Sequence, residues 1–378
     1  MKISAEFDGG NIDCLACDDP ADIRLAIRAD GAADFRQWFY FRLTGAKGRA
    51  CVLRLTNAGG SSYPGGWEGY RAVASHDRRD WFRVEDTSYE GGVLTIRHKP
   101  EADQVYFAYF APYSRERHAD FVAECAGRPG VALDVLGTTL DGQDLDYLRI
   151  GEPAGTRPNL WVIARQHPGE TMASWWMEGF LRRLLDPADP VARSLRARAT
   201  FHVVPNMNPD GSRRGHLRTN AAGADLNREW GVATLERSPE VFLVREAMRD
   251  RGIDFCLDVH GDEVLAYNFL VTAFGIPSLT ERQRQLHLDY AEALVRASPD
   301  FQTAKGYPPS APGKANLALC SNYLAETFGC LAMTLEQPFK DTIETPDARA
   351  GWSPERADRL GMANLDAMLA VVDRLKER

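Results

Sequence analysis

The sequence predicts an α/β protein in two parts: an N-terminal antiparallel β-sandwich over residues 1–112, then a mixed β-sheet flanked by helices over residues 113–378. Three observations carry that expectation. Short stretches of alternating hydrophobicity recur up to about residue 112 with turn residues between them, as in a sandwich. From about residue 130, strand-like and helix-like stretches alternate, which calls for a sheet covered by helices. Within that half, Leu160 to Ala164 is a near-continuous apolar run, the pattern of a strand buried on both faces.

In the first part, Ile23, Leu25 and Ile27 alternate with Arg24, Ala26 and Arg28, and Trp38, Tyr40 and Arg42 with Phe39, Phe41 and Leu43. Val52–Leu55, Trp81–Val84, Val93–Ile96 and Val105–Phe110 read as further strands, and 59–66 as a Gly/Ser/Pro loop. No catalytic grouping stands out here, and the many aromatic residues read as core. Pro112 marks the change. Ser114 can cap a helix over 115–126. Strands at 131–136 and 145–150 flank Asp141-Gly142, a hairpin signal. The strand from Asn159 stops at Gln166, His167-Pro168-Gly169-Glu170 turns the chain, and Met172, Trp176, Phe180 and Leu184 form one stripe of a helix. A short helix at 190–198 and a buried strand at 200–204 follow. The loop from Pro205 to Trp230 is long and rich in turn residues, which in a compact domain usually signals function. Pro239 opens a helix to about 251. The strand over 253–259 delivers His260, helices follow at about 280–297 and 315–327, the strand over 330–337 carries Glu336, and a last helix runs from 353 to about 376.

Composition excludes several classes. Hydrophobic content of 44% and charged content of 26% are those of an ordinary globular protein. A net charge of -8 argues against a general nucleic-acid binder. No stretch approaches the roughly 20 apolar residues of a membrane span, and the N-terminus has no apolar core of a secretory signal. Seven scattered cysteines fit free thiols in a reducing compartment, so a cytoplasmic location is expected. Cys14 and Cys17 form a lone C-x-x-C, half a metal or redox site at best.

His167, Glu170 and His260 leave the ends of two buried strands. Two imidazoles and a carboxylate form the ligand set of a catalytic zinc with one position left for water, and a short spacer followed by a long one lets a turn fix two ligands while a distant strand supplies the third. Glu336, at the end of an otherwise apolar strand, is the candidate base, with an ion pair to Lys340 as its structural alternative. In the long loop, Arg218 could stabilise an oxyanion, and Asn227 and Arg228 could grip a carboxylate. Asp225 could orient a ligand imidazole, with Asp258 a rival for that role.

These residues resemble the zinc metallocarboxypeptidase family of the pancreatic carboxypeptidase type, from about residue 130 to the C-terminus. The runs Asn208-Pro-Asp-Gly211 and Asp225-Leu-Asn-Arg-x-Trp230, with an all-β domain in front, look like a bacterial-type member of its cytosolic carboxypeptidase subfamily. The resemblance implies one Zn2+ held by His167, Glu170 and His260, with Glu336 and Arg218 catalytic, Asn227 and Arg228 binding substrate and Asp225 supporting a ligand. It implies hydrolysis of C-terminal peptide bonds in peptides or proteins, while the net charge and the lack of a long apolar stretch argue against nucleic-acid and membrane partners. The subfamily also implies a lean toward acidic C-terminal residues, with Lys305 or Lys314 as providers of a basic pocket, and Tyr323 is the nearest candidate for the family's tyrosine over the substrate. The rival expectations are a zinc deacylase of N-acyl amino acids and a binding protein with a vestigial zinc site.

Overall fold

A computed structural model describes residues 1–152 and 155–376; the last two residues of the expected second part lie outside the described residues. Residues 2–108 build two five-stranded sheets. In one, Lys2–Ser4, Tyr40–Thr44, Gln104–Ala108, Val73–Ser75 and Phe82–Arg83 lie side by side, all antiparallel. The other has the order Asp13–Ala16, Ile23–Ala26, Cys51–Leu55, Val93–His98, Thr87–Glu90. The antiparallel expectation fails at one pair: Ile23–Ala26 runs parallel to Cys51–Leu55. Between those strands the chain crosses to the other sheet as Tyr40–Thr44, so a crossover rather than a hairpin joins them. Leu25, Phe41, Leu53, Leu55, Ile96 and Phe107 alternate into a fully buried core.

The second part is a seven-stranded mixed sheet of β1 (Val131–Thr138), β2 (Asp144–Ile150), β3 (Asn159–Ala164), β4 (Thr200–Val204), β5 (Phe255–Val259), β6 (Phe269–Thr272) and β7 (Leu331–Glu336). Their order is β1-β2-β4-β3-β5-β7-β6. The four middle strands are parallel, and the outer pairings are antiparallel. The helices are α1 (Arg115–Ala126), α2 (Met172–Leu184), α3 (Pro190–Arg198), α4 (Pro209–Arg214), α5 (Pro239–Arg251), α6 (Glu281–Ala297), α7 (Cys320–Phe328) and α8 (Pro354–Val371). Every residue of β4 and β5 is buried, which is why these strands read as unbroken apolar runs. Because β3, β4, β5 and β7 point the same way, the turn at His167, the long loop, His260 and Glu336 all emerge at one edge, where α/β sheets bind ligands.

Two details differ from the sequence reading. Helix α7 starts at Cys320 instead of 315, because the Asn316 side chain turns the chain at Ala318 and the Cys320 amide donates to Asn227 Oδ1. Inside the long loop, Asn208 caps α4 by accepting from the Gly211 amide (3.0 Å). Asp210 accepts from Thr139 Oγ1 (2.6 Å) and the Asp141 amide, so the Asn-Pro-Asp-Gly run ties the loop to the β1–β2 hairpin.

Candidate metal centre and substrate cleft

Strand β3 is followed by a residue that sequence patterning does not single out. Arg165 takes a left-handed conformation (φ 62°), rare for a residue with a Cβ and typical of strained functional turns. Its buried guanidinium holds that turn from within, donating to the carbonyls of Pro168 and Tyr113. The turn delivers His167 and Glu170, and β5 delivers His260; all three are at most 4% exposed. His167 Nδ1 lies 2.6 Å from Glu170 Oε1, and His260 Nδ1 lies 3.1 Å from His167 Nδ1 and 2.9 Å from Glu170 Oε2. Ligands around a tetrahedral ion bound at about 2.0–2.2 Å stand roughly 3.3–3.6 Å apart, so the three side chains are gathered about one point somewhat more tightly than an ion would hold them.

The far ring nitrogens fix the tautomers. His167 Nε2 donates to Asp225 Oδ1 (3.0 Å) and His260 Nε2 to Asp258 Oδ2 (2.9 Å). The two aspartates are therefore not rivals; each orients one imidazole. Asp258 is itself held by Gln166 Nε2 (2.6 Å), and Gln166 Oε1 accepts from Trp230 Nε1 (2.9 Å). Asp225 also accepts from Arg218 Nε (2.7 Å) and the Asn227 amide (3.1 Å), so one carboxylate sets the positions of three candidate functional residues. Burial pushes its carboxyl up, but His167, Arg218 and Arg228 outweigh that and hold it well below the usual range.

His167 and Glu170 line a cleft of about 680 Å3 together with Arg218, Asn227, Arg228 and Glu336. Glu336 Oε2 is buried without a hydrogen-bond partner. Burial pushes its carboxyl up to about 8, with Glu170 and Asp262 adding to the effect and His260 opposing it. The alternative pairing does not form: Lys340 Nζ donates to the Glu68 carbonyl (2.7 Å). Because the Cys320 amide can only donate, it faces Asn227 Oδ1, and Asn227 Nδ2 is left for the cleft. The Tyr323 hydroxyl accepts from Arg249, and this residue does not line the cleft; Tyr307 does, its hydroxyl donating to Asp262. Lys305 and Lys314 are exposed and likewise outside the cleft lining.

The N-terminal sheets contribute what sequence reading missed. Asp30 is 3% exposed and accepts four hydrogen bonds from the long loop of the second part: the amides of Leu217 (2.6 Å), Arg218 (2.9 Å) and Thr219 (2.8 Å), and Thr219 Oγ1 (2.9 Å). Phe35 and Tyr63 bracket the Arg218 guanidinium at 5.7 and 5.5 Å. Leu217 in turn presses on the metal turn. The Gly169 amide donates to its carbonyl (2.8 Å), and a Cβ on Gly169 would sit 2.9 Å from that oxygen, so only glycine fits there.

Residues 127–344 match the family described as zinc carboxypeptidase, and residues 3–110 the cytosolic carboxypeptidase N-terminal domain. The chain belongs to the zinc carboxypeptidase family. It is 52% identical to an uncharacterised protein of Zymomonas mobilis, over 99% of this chain and 97% of that one. A metallo-carboxypeptidase of Pseudomonas aeruginosa, solved in complex with (2-guanidinoethylmercapto)succinic acid, superposes with a TM-score of 0.96 at 46% identity over the full length of both chains. Mouse cytosolic carboxypeptidase 1 is 29% identical over 69% of this chain, which spans only 25% of that longer protein.

As a member of this family the enzyme is a zinc-dependent exopeptidase acting on peptides. The donor set fits that ion. With Nε2 protonated on both imidazoles, three lone-pair donors converge on one buried point, and two imidazolium rings facing each other there would be costly. A divalent cation satisfies all three at once. All seven cysteines are free, and among the described residues no helix is long and apolar enough to cross a membrane.

Proposed function

We propose that the enzyme removes the C-terminal residue of peptides or proteins, with His167, Glu170 and His260 holding one zinc ion. The observation that carries this reading is the pairing, at one cleft, of the metal-site residues His167 and Glu170 with the Asn227 amide and the Arg228 guanidinium, which spends one nitrogen on the Asn227 carbonyl. When bound, the ion polarises the scissile carbonyl and lowers the pKa of water. The chain's own residues do the rest. Asn227 Nδ2 and Arg228 hold the terminal carboxylate, so a blocked C-terminus is refused. Arg218, fixed by Asp225, donates to the developing oxyanion. Glu336, unpartnered and with a raised pKa, takes the proton from the attacking water and returns it to the leaving amine. Residues 1–112 form a β-sandwich and 113–378 the catalytic part, the sandwich clamping the Arg218 loop through Asp30. Seven free thiols and the likeness to cytosolic carboxypeptidases support a cytoplasmic location.

The side-chain pocket beside Asn227 is lined by Val271, Leu319, Ser321, Asn322 and Thr334. Arg218 and Arg228 are the cations of the cleft among the described residues, and both are engaged in the roles above. An acidic C-terminal residue thus has no counter-charge of its own, and a neutral residue fits better than the acidic one the subfamily suggests. The carboxyl groups of the ligand named with the P. aeruginosa enzyme are the chemistry that Arg228 would receive. The test compares free-acid peptides, their C-terminal amides and N-acyl amino acids. Free-acid peptides alone should be cut, and a Glu336→Gln protein should keep stoichiometric zinc while losing at least about a hundredfold in kcat/KM. Turnover confined to N-acyl amino acids would overturn the peptidase reading.

A further inference from the structure

We propose that Glu263 forms a subsite for a cation carried by the substrate residue on the amino side of the scissile bond, so that peptides with a basic group on the penultimate residue are preferred. The proposal rests on the peptidase reading above and adds a substrate class to it. Two acids follow His260 at the cleft. Asp262 is fully used in building the loop: it accepts from the amides of Val264 and Leu265 and from the Tyr307 hydroxyl. Glu263 is not. It is 6% exposed and lines the cleft, yet no donor from another described residue reaches its carboxylate. The carboxylate opens onto the cleft, where the charge of Arg218 acts on it against those of Glu170 and Asp262, and a bound cation would offset that repulsion. Burial pushes its carboxyl well above the usual range, so the ionised form is disfavoured until a cation arrives.

The position follows from the two ends of the cleft. At one end, Asn227 is tied to Cys320 and Ser321 to Thr334, enclosing the pocket for the C-terminal residue. At the other, Arg218 lies against Tyr63 of the N-terminal sheets. With the terminal carboxylate on Arg228 and the carbonyl oxygen on Arg218, the preceding residue leaves past Tyr63 and Glu263. The Glu263 backbone is pinned there, since a Cβ on Gly66 would sit 2.7 Å from its carbonyl oxygen. The carboxyl group is thus held in place on a packed segment.

The experiment uses the zinc-loaded full chain and acetylated tripeptides sharing one C-terminal residue, with Lys, norleucine or Glu in the penultimate position. A dipeptide with a free α-amine, and its acetylated form, separate an α-ammonium from a side-chain cation. Within the wild-type enzyme, kcat/KM for Lys should exceed that for Glu at least tenfold. That ratio should fall to within about twofold in Glu263→Gln and invert in Glu263→Lys. Calorimetric affinities of the same peptides for Glu336→Gln and for Glu336→Gln/Glu263→Gln give the same comparison without turnover. A wild-type ratio near one, or a ratio unchanged by Glu263→Gln, overturns the subsite. Absence of hydrolysis with every peptide sinks the peptidase reading instead, and the binding ratios still decide the fate of Glu263.

Discussion

Asp225 binds His167, Arg218 and Asn227 through two oxygens, so a one-atom change there reaches three functions. Asparagine keeps the shape but puts a donor NH2 in place of one of the two oxygens that accept from His167 and Arg218. Asp225→Asn should weaken zinc about 10–100-fold, read by chelator competition, and lower kcat/KM further through the loosened Arg218. Equal zinc affinity in the variant would remove Asp225 from its proposed role. The convergence of His167, Glu170 and His260 was legible in the sequence, because a histidine or glutamate at the end of an apolar strand has few structural reasons to be there. Asp30 and Gln166 were not. Asp30 meets its partners across 187–189 residues, and nothing local distinguishes it from a surface aspartate. Gln166 looks like an ordinary turn residue until Asp258 and Trp230 are placed around it.

At the scale of elements, the Arg218 loop has little regular structure and depends on what clamps it. Asp30→Asn should leave zinc binding close to wild type while lowering kcat through misplacement of Arg218, with Asp30→Glu restoring less than half of the loss. A proportional loss of zinc and activity would point to general unfolding instead. Helix α5 carries a different signal. Glu240, at its second position, is fully buried and receives Asn220 Nδ2 (3.1 Å). Burial raises its carboxyl to about 7. The folded state therefore keeps a proton that the unfolded chain has released above about 4.5. This contribution to stability is complete below that value and is lost as pH rises toward 7, on the order of 1.4 kcal/mol for each pH step between the two. Glu240→Gln should be more stable than wild type at about pH 8, with the advantage fading in denaturant titrations below the pH at which the unfolded carboxyl is protonated. Periodicity and start signals found α1, α3 and α5 with correct ends, because the side-chain caps of α1 and α3 and the first-turn proline of α5 are local. The start of α7 escaped, since its first amide is satisfied by Asn227 from another part of the chain.

Over the whole molecule, the two halves share their cores. The Arg83 guanidinium, from the N-terminal sheets, is 6% exposed and donates to the carbonyls of Phe339, Ala350 and Trp352. Tyr109 stacks on Phe339 with ring centroids 4.3 Å apart. Residues 113–378 expressed alone should be insoluble or inactive, and the full chain should unfold in one calorimetric transition with coincident fluorescence and circular dichroism. Two separated transitions would show that the halves fold independently. A division near residue 112 was proposed from the change in hydrophobic period. The interlock was not, because a strand pattern records which face is buried and not against what.

The four hydrogen bonds into Asp30 also limit how such an enzyme can be re-engineered or diversified by exchange of parts. A different module fused in front of residue 113 would leave three backbone amides at Leu217–Thr219 facing a surface with no acceptor. A working chimera must carry over this one acidic side chain, at this height above the sheet edge, or evolve a replacement for it within the loop.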